Sequence, residues 1–449
     1  MTSRSRTSSG PVHALVELLR GALWPVPSLG VLVAVGLGVL LPAIDGWLAA
    51  AGGDPLTFVF GGGAAAGRDL LAAIAGSLIS VTGLTFSLTV IALQLSSSQY
   101  SPRLLATFVT DRVVQLTLAQ LVLTFVYALT VLRTVRTQSA TEDDSAFVPR
   151  LSITVAYLLT LGSVLALVFF LGHLAQALRV ETMLRDVHDE ATRTLDRQQP
   201  DEGPHPEPAA VGPVQVLLAR SSGFLVGVDE RAAAEAARRA GAVVRFRVRI
   251  GDAVVVGTPL GHVWRLGATG PVDVAGLAEE LDGAVRLGFE RTASGDVPYS
   301  LRKITDITVR ALSPGVNDPT TAVHALSHAA ALLGELAQRR AEDRRLPDAE
   351  GAVRVVLPSW DLPALVQLAV EEPLQFAEGQ PAVLRRLAGL LRELAWRARG
   401  RGVDELLRGH VATVAATAVR TTGVPDDEAR SWRLAVDQAL AGTWPAEPG

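Results

Sequence analysis

The sequence predicts an integral membrane protein made of α-helices, followed by a cytoplasmic region of mixed α and β structure. Two observations predict this fold class. Four apolar stretches lie within the first 180 of the 449 residues, and each is long enough to cross a hydrocarbon core of ~30 Å, which takes roughly 20 residues. Beyond them the pattern changes to short alternating strands and then to amphipathic helices. The mean hydropathy of the whole chain, +0.32, is accordingly positive.

Composition and periodicity divide the chain into four parts. These are a four-helix transmembrane domain (residues 1–195), a linker (196–213), a small β-rich module (214–270) and a mainly helical cytoplasmic domain (271–449). The linker is rich in proline, glycine and acidic residues, which is typical of a loop. The predicted transmembrane spans are approximately residues 28–49, 70–95, 113–135 and 151–178.

The distribution of arginines predicts the orientation of the spans. Arginines precede the first span, lie between the second and third, and follow the fourth. Because basic residues are enriched in cytoplasmic loops, we expect both termini to be cytoplasmic. Arginine replaces lysine at every basic position except Lys303, a bias that with abundant Ala, Gly and Pro suggests a high-GC bacterial genome. We therefore expect a multi-pass protein of the bacterial cytoplasmic (inner) membrane, with the lipid bilayer as its first partner.

The second span is membrane-length and yet rich in hydroxyl and amide side chains. It reads LLAAIAGSLISVTGLTFSLTVIALQ, and at 100° per residue its polar groups form two stripes on nearly opposite faces. One stripe holds Ser80, Ser87, Gln94 and Ser98, and the other holds Thr82, Thr85, Thr89 and Ser96. Polar atoms in hydrocarbon need partners, so these stripes should face protein or water. The candidates for pore lining or helix packing are Ser80, Thr82, Thr85, Ser87, Thr89 and Gln94, and which stripe faces water is left open.

The β-rich module is predicted to be a small barrel-sandwich. VQVLLA and FLVGV flank the turn residues Ser221, Ser222 and Gly223, the pattern of a hairpin. The arrangement resembles the half-motif of biotinyl and lipoyl carriers in architecture only, because no lysine stands at the hairpin tip. Arg245, Arg247 and Arg249 alternate with apolar residues, so one face is predicted to be buried and the other basic. That basic face could meet lipid head groups or an anionic ligand, or it could simply be solvated.

Helical periodicity dominates from about residue 273 onward. AVRVVLP (352–358) interrupts the helices and is predicted to be a lone strand at a sheet edge. The predicted helices cover residues 274–287, 301–312, 320–340, 362–376, 381–398, 404–419 and 426–441.

The most specific short sequence is SLRKITDITVRALSPGVNDPTTAVHALSH, residues 300–328. It predicts two helices joined by a tight corner, with Asp318 as N-cap and Pro319 in the first turn of the second helix. Free backbone N–H groups at such a helix start form a natural anion-binding end. The segment is either a structural corner or a ligand site. The ligand-binding candidates are Arg302, Lys303, Asn317, Asp318, Thr320 and Thr321.

No motif for catalysis or metal binding is evident. The chain has no cysteine, and P-loop, dinucleotide-binding and nucleophile-elbow patterns are missing from it. His324 and His328 stand four residues apart without a third ligand at helical spacing. We therefore expect no enzyme, no catalytic residues, no cofactor and no metal. The net charge of −4 gives no support for nucleic-acid binding.

Three stretches together carry a resemblance to a known family. AGSLISVTGLTFSLTVIALQLSSSQYSPRLL, FVPRLSITVA and RALSPGVNDPTTA resemble the bacterial family of predicted membrane proteins called domain of unknown function 2254. The resemblance extends from the first span to about residue 420. It implies a membrane topology and no established activity, so no catalytic residue is carried over from it.

Two functions of different classes fit these patterns. The first is a homo-oligomeric pore or channel-like protein, lined by the second span and regulated by the cytoplasmic domain. The alternative is a membrane-anchored sensor or scaffold that binds an anionic ligand or a protein partner through its cytoplasmic domain. A membrane enzyme is a third and weaker hypothesis, because His173 is the only acid–base candidate that the spans offer. The polar second span favours the pore.

Overall fold

The computed structural model describes residues 24–50, 60–99, 111–136, 147–177, 179–197, 208–292, 296–339 and 341–444. These residues form two compact units, and the chain passes from the first to the second between Arg179 and Val180.

The first unit contains four helices long and apolar enough to cross a membrane, one at the position of each predicted span. The first two helices extend beyond both predicted boundaries, whereas the third and fourth begin one residue early and end three residues and one residue short. The third of these helices contacts each of the other three and is the most buried of them. The helices are α1 (Pro25–Ala50), α2 (Ala64–Gln99), α3 (Arg112–Leu132) and α4 (Arg150–Ala177).

Small residues and one carboxylate fix the packing of these helices. A Cβ atom built at Gly38 of α1 would lie 2.7 Å from Cβ of Thr130 on α3, and one at Gly30 would lie 3.1 Å from a backbone oxygen of α3. The two helices therefore approach too closely for larger residues. The carboxylate of Asp45 accepts hydrogen bonds from the backbone N–H groups of Leu151 and Ser152. It thereby satisfies donors that the first turn of α4 leaves free.

The second unit begins with a helix that the sequence analysis did not predict as a separate element. It is α5 (Val180–Arg197), which follows the last membrane-length helix after two residues. The strands are β1 (Gln215–Leu218), β2 (Gly223–Val228), β3 (Ala242–Phe246), β4 (Ala253–Val254), β5 (Pro259–Arg265), β6 (Val285–Gly288), β7 (Arg344–Pro347) and β8 (Val353–Leu357). The remaining helices are α6 (Glu230–Arg239), α7 (Val274–Asp282), α8 (Val297–Ala311), α9 (Pro319–Gln338), α10 (Leu362–Phe376), α11 (Pro381–Arg397), α12 (Asp404–Thr422) and α13 (Asp426–Leu440).

The strands form two open sheets. The larger has the order β1-β5-β3-β8-β7, and the smaller has the order β4-β2-β6. All pairs are antiparallel except β3 and β8, which run parallel. The predicted barrel-sandwich is not confirmed, because neither sheet closes. The predicted β1–β2 hairpin is wrong, since β1 pairs with β5 while β2 pairs with β4 and β6.

Two further differences from the sequence predictions have clear physical causes. The strand β8 lies between β3 and β7 and not at an edge, and it is buried at every residue. The edge strand β7 has no apolar run of its own, which is why the sequence pattern missed it. The helix predicted over residues 274–287 ends at Asp282, and the next residues form β6. The apolar spacing continues across Gly283, so periodicity alone does not show the change.

Most of the helices predicted after residue 300 are present within a few residues of the predicted ends. Their starts follow the sequence closely because aspartates cap them. The carboxylates of Asp296, Asp318 and Asp361 accept hydrogen bonds from backbone N–H groups three residues on, and a proline occupies the first turn in each case. This combination is a strong local start signal for a helix.

Candidate functional site

The two polar stripes of α2 lie in different surroundings. Thr85 and Thr89 are only 1% and 5% exposed and face the packed interior of the membrane unit. Ser80, Ser87 and Gln94 are exposed on the opposite side. Thr82, predicted with the threonine stripe, is half-buried, and the side chains of Ser96 and Ser98 lie outside the described residues. The structure thus assigns one stripe to helix packing and the other to the outer surface of the unit.

The hydroxyl groups of both stripes bond to their own helix. Each donates a hydrogen bond to the backbone carbonyl four residues earlier. The shortest of these bonds, from Thr82 to Leu78, is 2.7 Å, and the longest, from Ser80 to Gly76, is 3.2 Å. Thr85, Ser87 and Thr89 do the same at 2.8, 3.0 and 2.8 Å. This arrangement satisfies the donors locally. The hydroxyls therefore place no demand on a particular neighbour, and burial alone distinguishes the two stripes.

The exposed side of α2 carries a continuous strip of small and polar residues. Gly76, Ser80, Gly83, Ser87 and Gln94 fall within about 60° of one another on the helix, and all are exposed. Around a Cβ built at either glycine there is nothing within 4 Å. We call these five residues the outer strip of α2. Large exposed apolar residues border the strip on both sides, namely Ile79, Leu84, Phe86 and Ile91.

The two glycines of the outer strip were missed at the sequence level. Their signal is the spacing of small residues four apart, Gly76 with Ser80 and Gly83 with Ser87. This small-xxx-small spacing is typical of close contacts between membrane helices. The sequence analysis selected hydroxyl and amide residues only, so it recorded the polar half of the pattern.

The six ligand-binding candidates of the second unit lie in two places. Arg302 and Lys303 lie near the middle of α8, and both are already engaged by acids. Arg302 pairs with Asp306 at 2.9 Å and with Glu372 of α10 at 2.5 Å. Lys303 is 5% exposed, lies 2.7 Å from Glu190 of α5 and stands over the ring of Tyr299. Their charges hold neighbouring helices together.

The other four candidates meet at the corner between α8 and α9, roughly 12 Å along the α8 axis from Lys303. Asn317 has a φ of 48°, the left-handed conformation that asparagine tolerates. Asp318 accepts hydrogen bonds from the backbone N–H of Thr321 at 3.1 Å and from its hydroxyl at 2.6 Å. These bonds lower the pKa of Asp318 below its usual range. Thr320 is exposed beside them, and the corner has the geometry of a well-capped helix start.

Helix α5 is a structural element that sequence reasoning overlooked. Its buried apolar residues Met183, Leu184, Val187, Ala191 and Leu195 share one face, and the helix packs on α8 and α9. Besides the Glu190–Lys303 pair, Asp196 pairs with Arg339 beyond the end of α9 at 2.8 Å. The amphipathic spacing of the five apolar residues was the available signal. The predicted linker begins at residue 196, one residue before α5 ends at Arg197.

Within the described part of the chain, no group of three or more His, Cys, Asp or Glu residues could hold a metal ion. His324 and His328 lie on α9, and the ring of His328 stands 6.4 Å from that of His188 on α5. His173 bonds to Asp111, whose carboxylate also caps α3. His173, His188 and His328 thus contact residues in or capping other helices, whereas His324 is exposed.

The comparison with known families agrees with the membrane-length helices and the sequence motifs. Residues 20–393 match the family model described as predicted membrane protein (DUF2254). The chain belongs to this family. Uncharacterized proteins of Mycobacterium bovis and Mycobacterium tuberculosis are each 33% identical to it over 418 residues, which covers 91% of this chain and 77% of theirs. No solved structure matches the chain. The family description supports a membrane protein and assigns no activity, and the four membrane-length helices suggest a multi-pass location.

Proposed function

We propose that the protein is a homo-oligomeric pore of the bacterial cytoplasmic membrane, with the outer strip of α2 bordering a water-filled path. The observation that carries the proposal is the position of the strip. Its small and polar residues occupy the middle of a face of a membrane-length helix that is exposed among the described residues of the membrane unit. The serine hydroxyls are satisfied within the helix, so the strip matters through its packing, since small residues at this spacing favour close contact with another helix over contact with lipid.

The glycines of the strip strengthen this argument. A glycine inside a helix is less favourable than alanine by about 1 kcal/mol. Gly30 and Gly38 of α1 are explained by the close approach of α3, but nothing lies within 4 Å of a Cβ at Gly76 or Gly83. A sister copy or a hydrated path beside α2 would supply the reason for the two glycines. The bordering apolar residues would then seal neighbouring copies against lipid.

The unit from Val180 onward would act as the regulatory part. Helix α5 follows the last membrane-length helix in the chain after two residues, and ion pairs bind it to α8 and α9. A change in the second unit would therefore be passed along the chain to α4 by way of α5. Both termini would be cytoplasmic, as the arginine distribution predicts.

The test joins cross-linking with flux, and the chain is well suited to it because it has no cysteine. We expect Ser87→Cys to form intermolecular disulfides in native membranes. Thr89→Cys is the matched control, since Thr89 lies on the same helix but is 5% exposed and faces the interior. Purified protein in liposomes should pass small ions, and Ser87→Leu should reduce that flux while leaving the thermal unfolding in detergent unchanged.

Two outcomes would contradict the proposal. One is a monomer in nanodiscs with no cross-linking of Ser87→Cys above that of Thr89→Cys. The other is an oligomer that passes no ions under varied voltage, tension and pH, which would keep the helix contact and reject the pore.

A further inference from the structure

A pocket in the second unit lies where the segments after β3 and β8 meet the start of α8. Its volume is about 50 Å³, and its wall is mainly apolar. The residues that matter here are Val248, Arg249, Ile250, Pro298, Leu357 and Trp360. None of them was assigned to the pore or to the helix corner.

The position of the pocket is typical of binding sites in sheets with parallel strands. The strands β3 and β8 are the parallel pair of the larger sheet, with Val244 opposite Val355 and Arg245 opposite Val356. Both strands end at the pocket, since its lining includes Val248–Ile250, which begin two residues after the last residue of β3, and residues 357–360 at and after the end of β8. Ligands bind preferentially outside the carboxyl ends of such strands, where the chain diverges. The divergence of the chain after these two adjacent strands therefore leaves a crevice at this end of the sheet.

Arg249 has an unusual environment for a half-buried cation. Its Nε donates a 2.7 Å hydrogen bond to the backbone oxygen of Ser359, and its backbone N–H donates to Asp252. No carboxylate within the described residues forms an ion pair with its guanidinium. Its neighbours differ, because Arg245 pairs with Asp343 at 2.8 Å and Arg344 pairs with Glu230 at 2.7 Å. The side chain is thus held in place while its terminal nitrogens are left without an acidic partner.

We propose that this pocket binds a small organic carboxylate, whose carboxylate group meets the terminal guanidinium nitrogens of Arg249. A planar guanidinium binds a carboxylate through two parallel hydrogen bonds. The apolar wall formed by Val248, Ile250, Pro298 and Trp360 favours a ligand with a short hydrocarbon part over a bare inorganic anion. The inference does not depend on the pore and goes beyond it.

The volume of the pocket sets the size of the ligand. A group the size of a water molecule occupies roughly 10–15 Å³ of cavity volume. A cavity of about 50 Å³ therefore accommodates roughly four non-hydrogen atoms. Acetate has this size, and propionate and butyrate extend it toward the open side. The ligand class is therefore a carboxylate of about two to four carbons.

The experiment uses the full-length protein in detergent with tryptophan fluorescence as the readout, and because the chain has seven tryptophans, Trp360→Phe isolates the contribution of Trp360. Acetate, propionate, butyrate and inorganic phosphate are titrated at constant ionic strength against chloride. We expect a saturable change that tightens from acetate to butyrate, is lost in Trp360→Phe, and is weakened at least tenfold in Arg249→Gln. Arg247→Gln is the matched control, because Arg247 is an exposed arginine two residues away that does not line the pocket. It should bind like the wild type.

Several results would overturn the proposal. They are no saturable response to any carboxylate, equal affinity in Arg249→Gln and wild type, or binding of phosphate with none of butyrate. If Arg249→Gln fails to fold, Arg249→Lys replaces it, since a lysine keeps the charge but loses the two-point contact. Wild-type affinity in Arg249→Lys would then also reject the two-point contact.

Discussion

Polar side chains of α2 and of α8 have different bonding partners. On α2 the hydroxyls bond to the carbonyls of their own helix, so the same residue types occur on a buried face at Thr85 and on an exposed face at Ser87. On α8 charged side chains reach other elements, as Lys303 does toward Glu190 of α5 and Arg302 toward α10. The comparison shows that a polar side chain in a helix can bond within its own helix or can link that helix to another element of the fold. Removing it should therefore have very different costs in the two helices.

The largest effect is expected at the Lys303–Glu190 pair. Lys303 is 5% exposed, whereas the side chain of Glu190 is 38% exposed. Glu190→Gln strands a buried ammonium group and should lower the free energy of unfolding by about 2–3 kcal/mol. Lys303→Met frees a carboxylate that water can reach and should cost about 1 kcal/mol or less. The measurement is chemical denaturation of the full-length protein in detergent, and equal losses in the two variants would contradict the asymmetry.

How far the sequence predicts the molecule follows from the same comparison. Local signals predict well: apolar length finds the four spans, and Asp318 followed by Pro319 finds the start of α9. Helical spacing separates the two stripes of α2, but only the packing of α3 decides which of them is buried. Contacts between distant residues escape local patterns altogether.

The β strands and the pocket show why such contacts escape. The pairing of β3 with β8 joins segments more than a hundred residues apart, and the apparent hairpin of β1 and β2 gives way to pairing with later strands. For the same reason the alternation of Arg245, Arg247 and Arg249 does not show that the three side chains have different surroundings. These are an ion pair, exposure to solvent and a place in a pocket.

A smaller effect should separate interhelical hydroxyls from those that bond only to their own helix. Thr124 of α3 is fully buried, and its hydroxyl lies 2.9 Å from that of Ser163 on α4. Thr124→Val removes this link and should cost about 0.6–1.7 kcal/mol, the mean and the maximum for hydrogen bonds between membrane helices. Ser87→Ala loses only a bond within α2 and should change stability by less than about 0.5 kcal/mol. Steric-trap or thermal unfolding in bilayer discs measures both, and a loss at Ser87 as large as that at Thr124 would show that both hydroxyls hold the fold.

The smallest expected effect concerns protonation between α5 and α9. Burial lowers the pKa of His328, and the nearby His188, His324 and Arg185 lower it further. The unfolded chain therefore takes up this proton at a higher pH than the folded protein. The stability that neutral His328 contributes is complete above the unfolded pKa of about 6.5 and is lost as the pH falls below it. His328→Gln should reduce the fall in melting temperature between pH 7.5 and 5.5.

His410 of α12 supplies an independent comparison, because burial also lowers its pKa, against an opposing effect of Glu371. His410→Gln should remove its own part of the pH dependence, and the double variant should lose both parts together, since the two sites are separate. Melting curves of the four proteins at the two pH values measure this. A His328→Gln protein that keeps the full pH dependence would mean that the histidine keeps its charge upon folding. The contact between α5 and α9 would then tolerate an imidazolium. Its polar groups, like the hydroxyls of α2, would contribute little to the stability of the fold.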